Sequence, residues 1–214
     1  MILDLGLIDY EDCYRKQKEL VRRRKLGEIE DSLIIAEHNA VFTIGRSARA
    51  DNLLVSPEFL EKLGVKVLKV DRGGDITFHG PGQLVFYPII DLKAGIKDLH
   101  LYLRNLEEAV IRFLDGYGVS GIRVAGRTGV WSCGAKIASI GIAASDWVTY
   151  HGAAININTD LNFFSMINPC GIKDVKTSSL SVILNKTVNM AEAKEKLLFN
   201  FKSVFNFGEM NLVK

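Results

Sequence analysis

GVWSCGAKIASIGIAASDWVTYHGAAINI, residues 129–157, decides the fold. It holds four strand-like runs, Val130-Trp131, 136–143, 147–150 and 154–157, broken at glycine, serine and aspartate. Short apolar runs between turn formers read as neighbouring strands of one sheet. Upstream, residues 84–90 form an apolar run of the same kind and 65–70 alternate. Two shorter runs, 32–36 and 41–44, lie either side of Glu37-His38-Asn39. Helical spacing lies outside these strands. Tyr10, Cys13, Tyr14, Gln17, Leu20 and Val21 share one face of an N-terminal helix, and Arg15, Lys18, Arg22 and Lys25 another. Ser56-Pro57-Glu58 opens a short helix to Leu63, with proline at its first position. Leu99, Leu103, Leu106, Val110 and Phe113 mark a helix over 98–114, and a further one covers 178–184. Met190, Ala193, Leu197, Phe201, Val204 and Phe205 mark the last, with Asn189 and Glu192 as its capping pair. Strands gathered centrally with helices outside give an α+β (mixed α/β) class, one layer-packed domain over 1–214.

Composition narrows the function. The chain has 214 residues, 48% hydrophobic and 24% charged, which excludes a disordered chain. The longest stretch free of Asp, Glu, Lys and Arg is the 15 residues 76–90, shorter than the roughly 18 a membrane-spanning helix needs. Acids occupy the opening MILDLGLIDYEDCY where an export signal carries bases, so a cytoplasmic location is expected. Cys13, Cys133 and Cys170 are an odd number at wide spacing, with neither a zinc pattern nor a disulfide framework. A net charge of +2 is too mild to imply nucleic acid.

Five features carry candidate chemistry. Residues 72–83, RGGDITFHGPGQ, hold four glycines and a proline, which suits a loop lying close against a ligand. Its spacing is neither that of a P-loop nor that of a dinucleotide fold. Lys136 begins a strand-like run, and strict alternation puts it on one face with Ala138, Ile140 and Ile142, leaving Ser139 and Gly141 opposite. Tyr150-His151-Gly152 is a second His-Gly step, which a hydrogen-bonded turn histidine also explains. Cys170, between Pro169 and Gly171, sits in a turn that presents its thiol, whereas Cys13 and Cys133 suit structural roles. The basic helix face Arg15/Lys18/Arg22/Lys25 reads as solvated surface or as a dock for an acidic protein. Three classes remain open on these grounds: a thiol-dependent acyltransferase, an adenylating ligase and a non-catalytic binding domain.

Taken together, RGGDITFHGPGQLVFYPIIDL (72–92), GVWSCGAKIASIGI (129–142), WVTYHGAAININTDL (147–161) and INPCGI (167–172) with TSSL (177–180) resemble the lipoyl/octanoyl transferase family, the lipoate biosynthesis protein B group. The resemblance implies a fold like the catalytic domain of biotin and lipoate protein ligases, a central mixed sheet flanked by helices. It implies octanoyl transfer from acyl carrier protein to a lysine of lipoyl domains, those of 2-oxoacid dehydrogenase complexes and of the glycine cleavage H protein. No cofactor, metal, nucleic acid or membrane is implied. Cys170 falls on the family's nucleophile and Lys136 on the lysine held to lower its pKa. Arg72, Gly73, Gly74, Asp75, Ile76, Thr77, Phe78 and His79 fall on its substrate-binding runs, as do Ser139, Ile140, Gly141, Gly152, Ala153 and Ala154. Asp75 departs from the family's uncharged residue, and Ser132-Cys133 is more polar than its usual pair. The rival within the same fold is an ATP-dependent lipoate–protein ligase, which needs no cysteine; a Cys-His hydrolase on His79 or His151 is a second.

Overall fold

The computed structural model describes residues 1–95, 97–168, 176–206 and 212–213. In chain order the elements are β1 (Ile2–Ile8), α1 (Tyr10–Lys25), β2 (Ser32–His38), β3 (Val41–Ile44), α2 (Pro57–Lys62), β4 (Lys66–Lys69), β5 (Ile76–His79) and β6 (Gln83–Ile89). They continue with α3 (Leu99–Asp115), β7 (Ile122–Val124), β8 (Arg127–Ser132), β9 (Ala135–Ser145), β10 (Val148–Asn156), α4 (Leu180–Leu184), α5 (Met190–Phe205) and β11 (Leu212–Val213). Eight strands form a mixed sheet in the order β11-β1-β2-β6-β10-β9-β8-β7, and β4-β3-β5 form a smaller one. β1 runs parallel to both its neighbours; from β2 to β7 every pairing is antiparallel.

Side-chain patterns explain the layers. α1 starts where the Asp9 carboxylate caps the Glu11 N–H, and it buries Cys13, Gln17, Leu20 and Val21. That stripe packs on Ile34, Val85, Tyr87 and Ile89 on the front face of the large sheet. α3, capped by Asp98, and α5, capped by Asn189, cover the back face. There Leu106, Val110, Phe113 and Phe201 close on Leu84, Phe86 and Ile155. Each such side chain contributes about 1.5–3 kcal/mol on burial. The small sheet has its own core of Phe42, Leu60, Phe78 and Phe164. Among the described residues, no helix is long and apolar enough to cross a membrane.

The expected mixed sheet with outer helices is present, with differences in detail, among them strands β7 and β11, which the sequence leaves unassigned. β1 occupies what sequence left unassigned before the first helix, and its ladder with β2 shifts register between Asp4 and Leu7. β2 runs on through His38 instead of stopping at residue 36. Residues 76–79 of the glycine-rich stretch are strand β5 rather than loop. The two runs either side of the His151-Gly152 step are one strand, β10, because His151 adopts a φ of 56° without leaving the ladder.

Candidate active site

A cavity of about 300 Å³ opens between the front face of the large sheet and the small sheet. Exposed Ser47, Gly126, Arg127 and Thr128 form its mouth, while buried Tyr10, His79, Tyr87 and His151 form the far end. Val85 of β6, residues 139–141 of β9 and residues 152–154 of β10 make the wall between. Gly152 is needed here, since a Cβ would lie 2.2 Å from the Phe86 carbonyl oxygen.

Lys136 lines this cavity and is only 5% exposed. Strict alternation would set it opposite Ser139 and Gly141, and the structure corrects that reading. Val130 pairs with Ala138 and Trp131 with Lys136, so Ile137 is an extra residue, a bulge that turns Lys136 to the side of Ser139. Its ammonium lies 5.2 Å from the centre of the Trp131 ring, a cation–π approach. Gly129 makes room for the stem, because a Cβ there would lie 2.8 Å from Lys136 Cε. The fully buried Glu107 of α3 holds Gly129 by accepting its N–H at 3.1 Å, with Arg104 and Arg123 on its other oxygen.

The chain returns to Lys136 after residue 175. Lys136 N–H donates to the Lys176 carbonyl at 2.8 Å, and Ser178 N–H donates to the Lys136 carbonyl at 2.9 Å. Asn168 N–H donates to the Asn52 carbonyl at 2.8 Å, and the Asn52 amide donates to Asp75 of the cavity wall at 2.5 Å. Pro169, Cys170 and Gly171, the predicted nucleophile turn, lie outside the described residues.

The predicted binding runs converge. Of residues 72–79, Arg72, Gly74, Asp75, Ile76, Thr77 and His79 line the cavity, as do Ser139, Ile140, Gly141, Gly152, Ala153 and Ala154. Phe78 does not. Between Thr77 and His79 it turns to the core of the small sheet, stacking on Phe163 at 4.3 Å, as strand alternation requires. Gly73 instead anchors the loop through its N–H on the Ile142 carbonyl. The charge of Asp75, the departure noted in the sequence, is met by Asn52 and by the Ile76 N–H at 2.7 Å.

Hydrogen bonds tie these pieces together. Arg72 Nη2 donates to Thr43 Oγ1 at 2.9 Å, and that hydroxyl meets His79 Nε2 at 3.4 Å. His79 Nδ1–H donates to Gln83 Oε1, whose amide donates to Asn156, which in turn holds the Ser178 carbonyl. The chain thus runs from the glycine-rich loop to the segment paired with Lys136.

A second polar cluster closes the far end. Asp71 accepts from Tyr14, Tyr150, Lys18 and His151 Nε2, the last at 2.8 Å. Those bonds, led by the one from His151, hold its carboxyl far below the usual range. With Nε2 protonated, His151 Nδ1 is left to accept from the Tyr10 hydroxyl at 3.5 Å. His38 Nδ1 donates to the Ile8 carbonyl, so its Nε2 accepts from the Tyr87 hydroxyl at 2.8 Å. Burial lowers the pKa of all three histidines, that of His38 to about 4, and keeps them neutral. Among the described residues no group of three His, Cys, Asp or Glu side chains can hold a metal ion.

Of the candidate walls of an acyl slot that the sequence offers (Ile140, Ile142 and the apolar residues around Tyr87), Ile140 and Tyr87 line the cavity and Ile142 does not, while Tyr10 and Arg127 were not legible as site residues. A tyrosine within the apolar run 84–90 and a histidine at the edge of β2 were the available signals for the far end; nothing marked Arg127. The basic face of α1 is surface, in line with its reading as a solvated face. Arg15 pairs with Asp12, Lys18 with Asp71, Arg22 with Glu28 and Lys25 with Asp146, so these cations answer acids of the same molecule.

The architecture is a mixed sheet carrying a buried lysine beside a partly apolar cavity, and comparison with known proteins gives its kinship. The chain belongs to the lipoyl protein ligase A/B catalytic domain family, whose model matches residues 9–202. It is 49% identical over 201 residues to the octanoyltransferase of Rubrobacter xylanophilus, covering 93% of this chain and 90% of that one. It is 44% identical over 213 residues to the octanoyltransferase of Chloroflexus aggregans, covering 98% and 96%. Among solved structures, the bi-partite lipoate protein ligase of Thermoplasma acidophilum superposes with a TM-score of 0.74 at 17% identity, over 100% of this chain and 86% of that one. Biotin protein ligase from Aquifex aeolicus gives a TM-score of 0.57 at 18% identity, over 96% and 70%. At those identities the likeness is one of fold.

Proposed function

We propose that the chain is an octanoyltransferase of protein lipoylation, moving octanoyl from acyl carrier protein to a lysine of a lipoyl domain through a thioester on Cys170. The observation that carries this reading is the buried Lys136 in the cavity, paired by backbone to Lys176 and Ser178 directly after the cysteine segment. On the other side of that segment, Asn168 stands two positions before Cys170 in the sequence. Asn168 is itself bonded to Asn52 beside the cavity wall.

In this scheme the Cys170 thiolate attacks the octanoyl thioester carbonyl, the carrier thiolate leaves with a proton from the Lys136 ammonium, and the acyl group rests on sulfur. The acceptor amine then attacks the acyl-enzyme, gives up its proton to Lys136, and leaves as the amide while Cys170 is released as thiolate. Thioester exchange is close to isoenergetic and amide formation is downhill, so the sequence runs without ATP. The cavity keeps water from the acyl-enzyme. The compartment consistent with both protein substrates is the cytoplasm.

Intact-mass measurement after mixing with octanoyl-acyl carrier protein should show one added octanoyl, absent in Cys170→Ala. Lack of an adduct, or the same adduct in Cys170→Ala, overturns the scheme. Product formed only from free octanoate with ATP would assign the ligase reaction instead.

A further inference from the structure

Resting on the octanoyl reading, the geometry points to a further role for the far end of the cavity: we infer that Tyr10 and Tyr87, each tethered by its hydroxyl to a histidine, set the upper limit on acyl length. Ser139, Ala154 and Val85 lie side by side across β9, β10 and β6. Lys136 is three residues before Ser139, and Tyr87 is two residues after Val85 on a strand running the same way. At about 3.3 Å per residue, and allowing for the bulge, the lysine and the tyrosine stand roughly 15 Å apart along the strands. That interval is of the size an extended eight-carbon acyl group and a lysine side chain cover together. The exposure gradient fixes the direction, since the mouth lies at Arg127 and the buried end at Tyr10, His79, Tyr87 and His151. An acyl chain entering from the mouth meets the tyrosines with its methyl end.

The end wall differs from an ordinary apolar one. Leucines or methionines shift rotamer to admit extra methylenes. Tyr87 is 3% exposed and bonded to His38, which is itself fixed on the Ile8 carbonyl; Tyr10 is 3% exposed, stacks against His79 and is bonded to His151, which is fixed on Asp71. To make room for two more carbons, a ring must move and leave a buried donor and a buried acceptor without partners. Tethered rings therefore make a sharper stop than volume alone.

The test removes the tethers and keeps the rings. Tyr87→Phe and Tyr10→Phe are given equimolar octanoyl- and decanoyl-acyl carrier protein, and the modified lipoyl domain is weighed by intact mass. The decanoyl-to-octanoyl product ratio should rise on the order of tenfold in each variant, the size of losing one such bond. Tyr102→Phe, on the back face of the sheet, should leave the ratio at the wild-type value. Binding of octanoate and decanoate is read in parallel by calorimetry, so the wall is judged even where no transfer occurs. Absence of transfer by the wild type counts against the reaction; ratios of transfer and binding unchanged in both folded variants count against the wall. A rise only in Tyr87→Ala would assign the limit to volume and overturn the hydrogen-bond account.

Discussion

Behind the large sheet, α3 and α5 close on Phe86, Phe113, Ile155 and Phe201, none more than 0% exposed. In front of it, α1 and the small sheet leave a cavity of about 300 Å³ whose far end is tyrosine and neutral histidine. The same strand serves both, with Ile155 behind and Ala154 in front. The contrast separates two tasks. The back gains free energy from apolar area without directional demands. The front keeps polar groups out of water only because each is matched by another, and every one of them has a defined orientation as a result. Changes in front should therefore alter chemistry and selectivity, and changes behind should alter stability.

The largest effect expected is at the front. Lys136→Ala should lower the rate of acyl transfer by about 10²–10⁴, the range of a proton-transferring group. Its thermal midpoint should stay within a few degrees of wild type, because the back face is untouched. A rate-versus-pH curve for iodoacetamide alkylation of Cys170 should move to higher pH if, as proposed, the Lys136 ammonium stabilises the thiolate. A variant that melts early yet alkylates like wild type would break the division between the two faces.

Phe201→Ala is the mirror experiment. Removing a fully buried ring from the back core should cost about 3–5 kcal/mol in urea unfolding. Activity per folded molecule should stay within about twofold, since the ring packs in the back-face core against Phe86 and Phe205. Loss of turnover without loss of stability would show that the sheet transmits strain from back to front.

A third comparison uses acid. His38 has its folded pKa lowered to about 4 against 6.5 unfolded, because burial penalises its charged form. The unfolded state thus takes up the proton first. The stability it contributes is whole above pH 6.5 and is lost as pH falls towards 4, at most about 3 kcal/mol at 1.36 kcal/mol per unit. His79 and His151 act in the same direction. Urea midpoints should fall between pH 7 and 5, and fall less steeply in His38→Gln. Equal slopes in the two proteins would remove His38 from the account.

The back face was largely legible in the sequence, and the front was legible only in pieces. Leu106, Val110, Phe113, Leu197 and Phe201 declare themselves by helical spacing, which depends on local geometry alone. The binding runs were legible because their residues are consecutive. Lys136 was identified but set on the wrong side, since one inserted residue at Ile137 reverses every facing before it and leaves no mark in composition. His151 looked like a turn because a positive φ inside a strand has no sequence signature outside glycine. The Tyr10–His151 and His38–Tyr87 bonds join residues 141 and 49 positions apart, and only the assembled layers bring them together.

The smallest effect concerns the surface of α1. A row of Arg15, Lys18, Arg22 and Lys25 invites a docking role for acidic carriers, but the folded chain supplies each with an acid. Exposed pairs of this kind contribute roughly 0–1 kcal/mol, so Arg22→Glu should change the urea midpoint very little. Arg22 shares Glu28 with Arg23, and the mouth of the cavity lies at Arg127 and Ser47. KM for acyl carrier protein should therefore shift less than about twofold in Arg22→Glu and more in Arg127→Glu, with the larger shift fading as salt is raised. Equal, salt-sensitive losses at both positions would mean that the carrier spans from the mouth onto α1, and the front of the molecule would then be a continuous docking face.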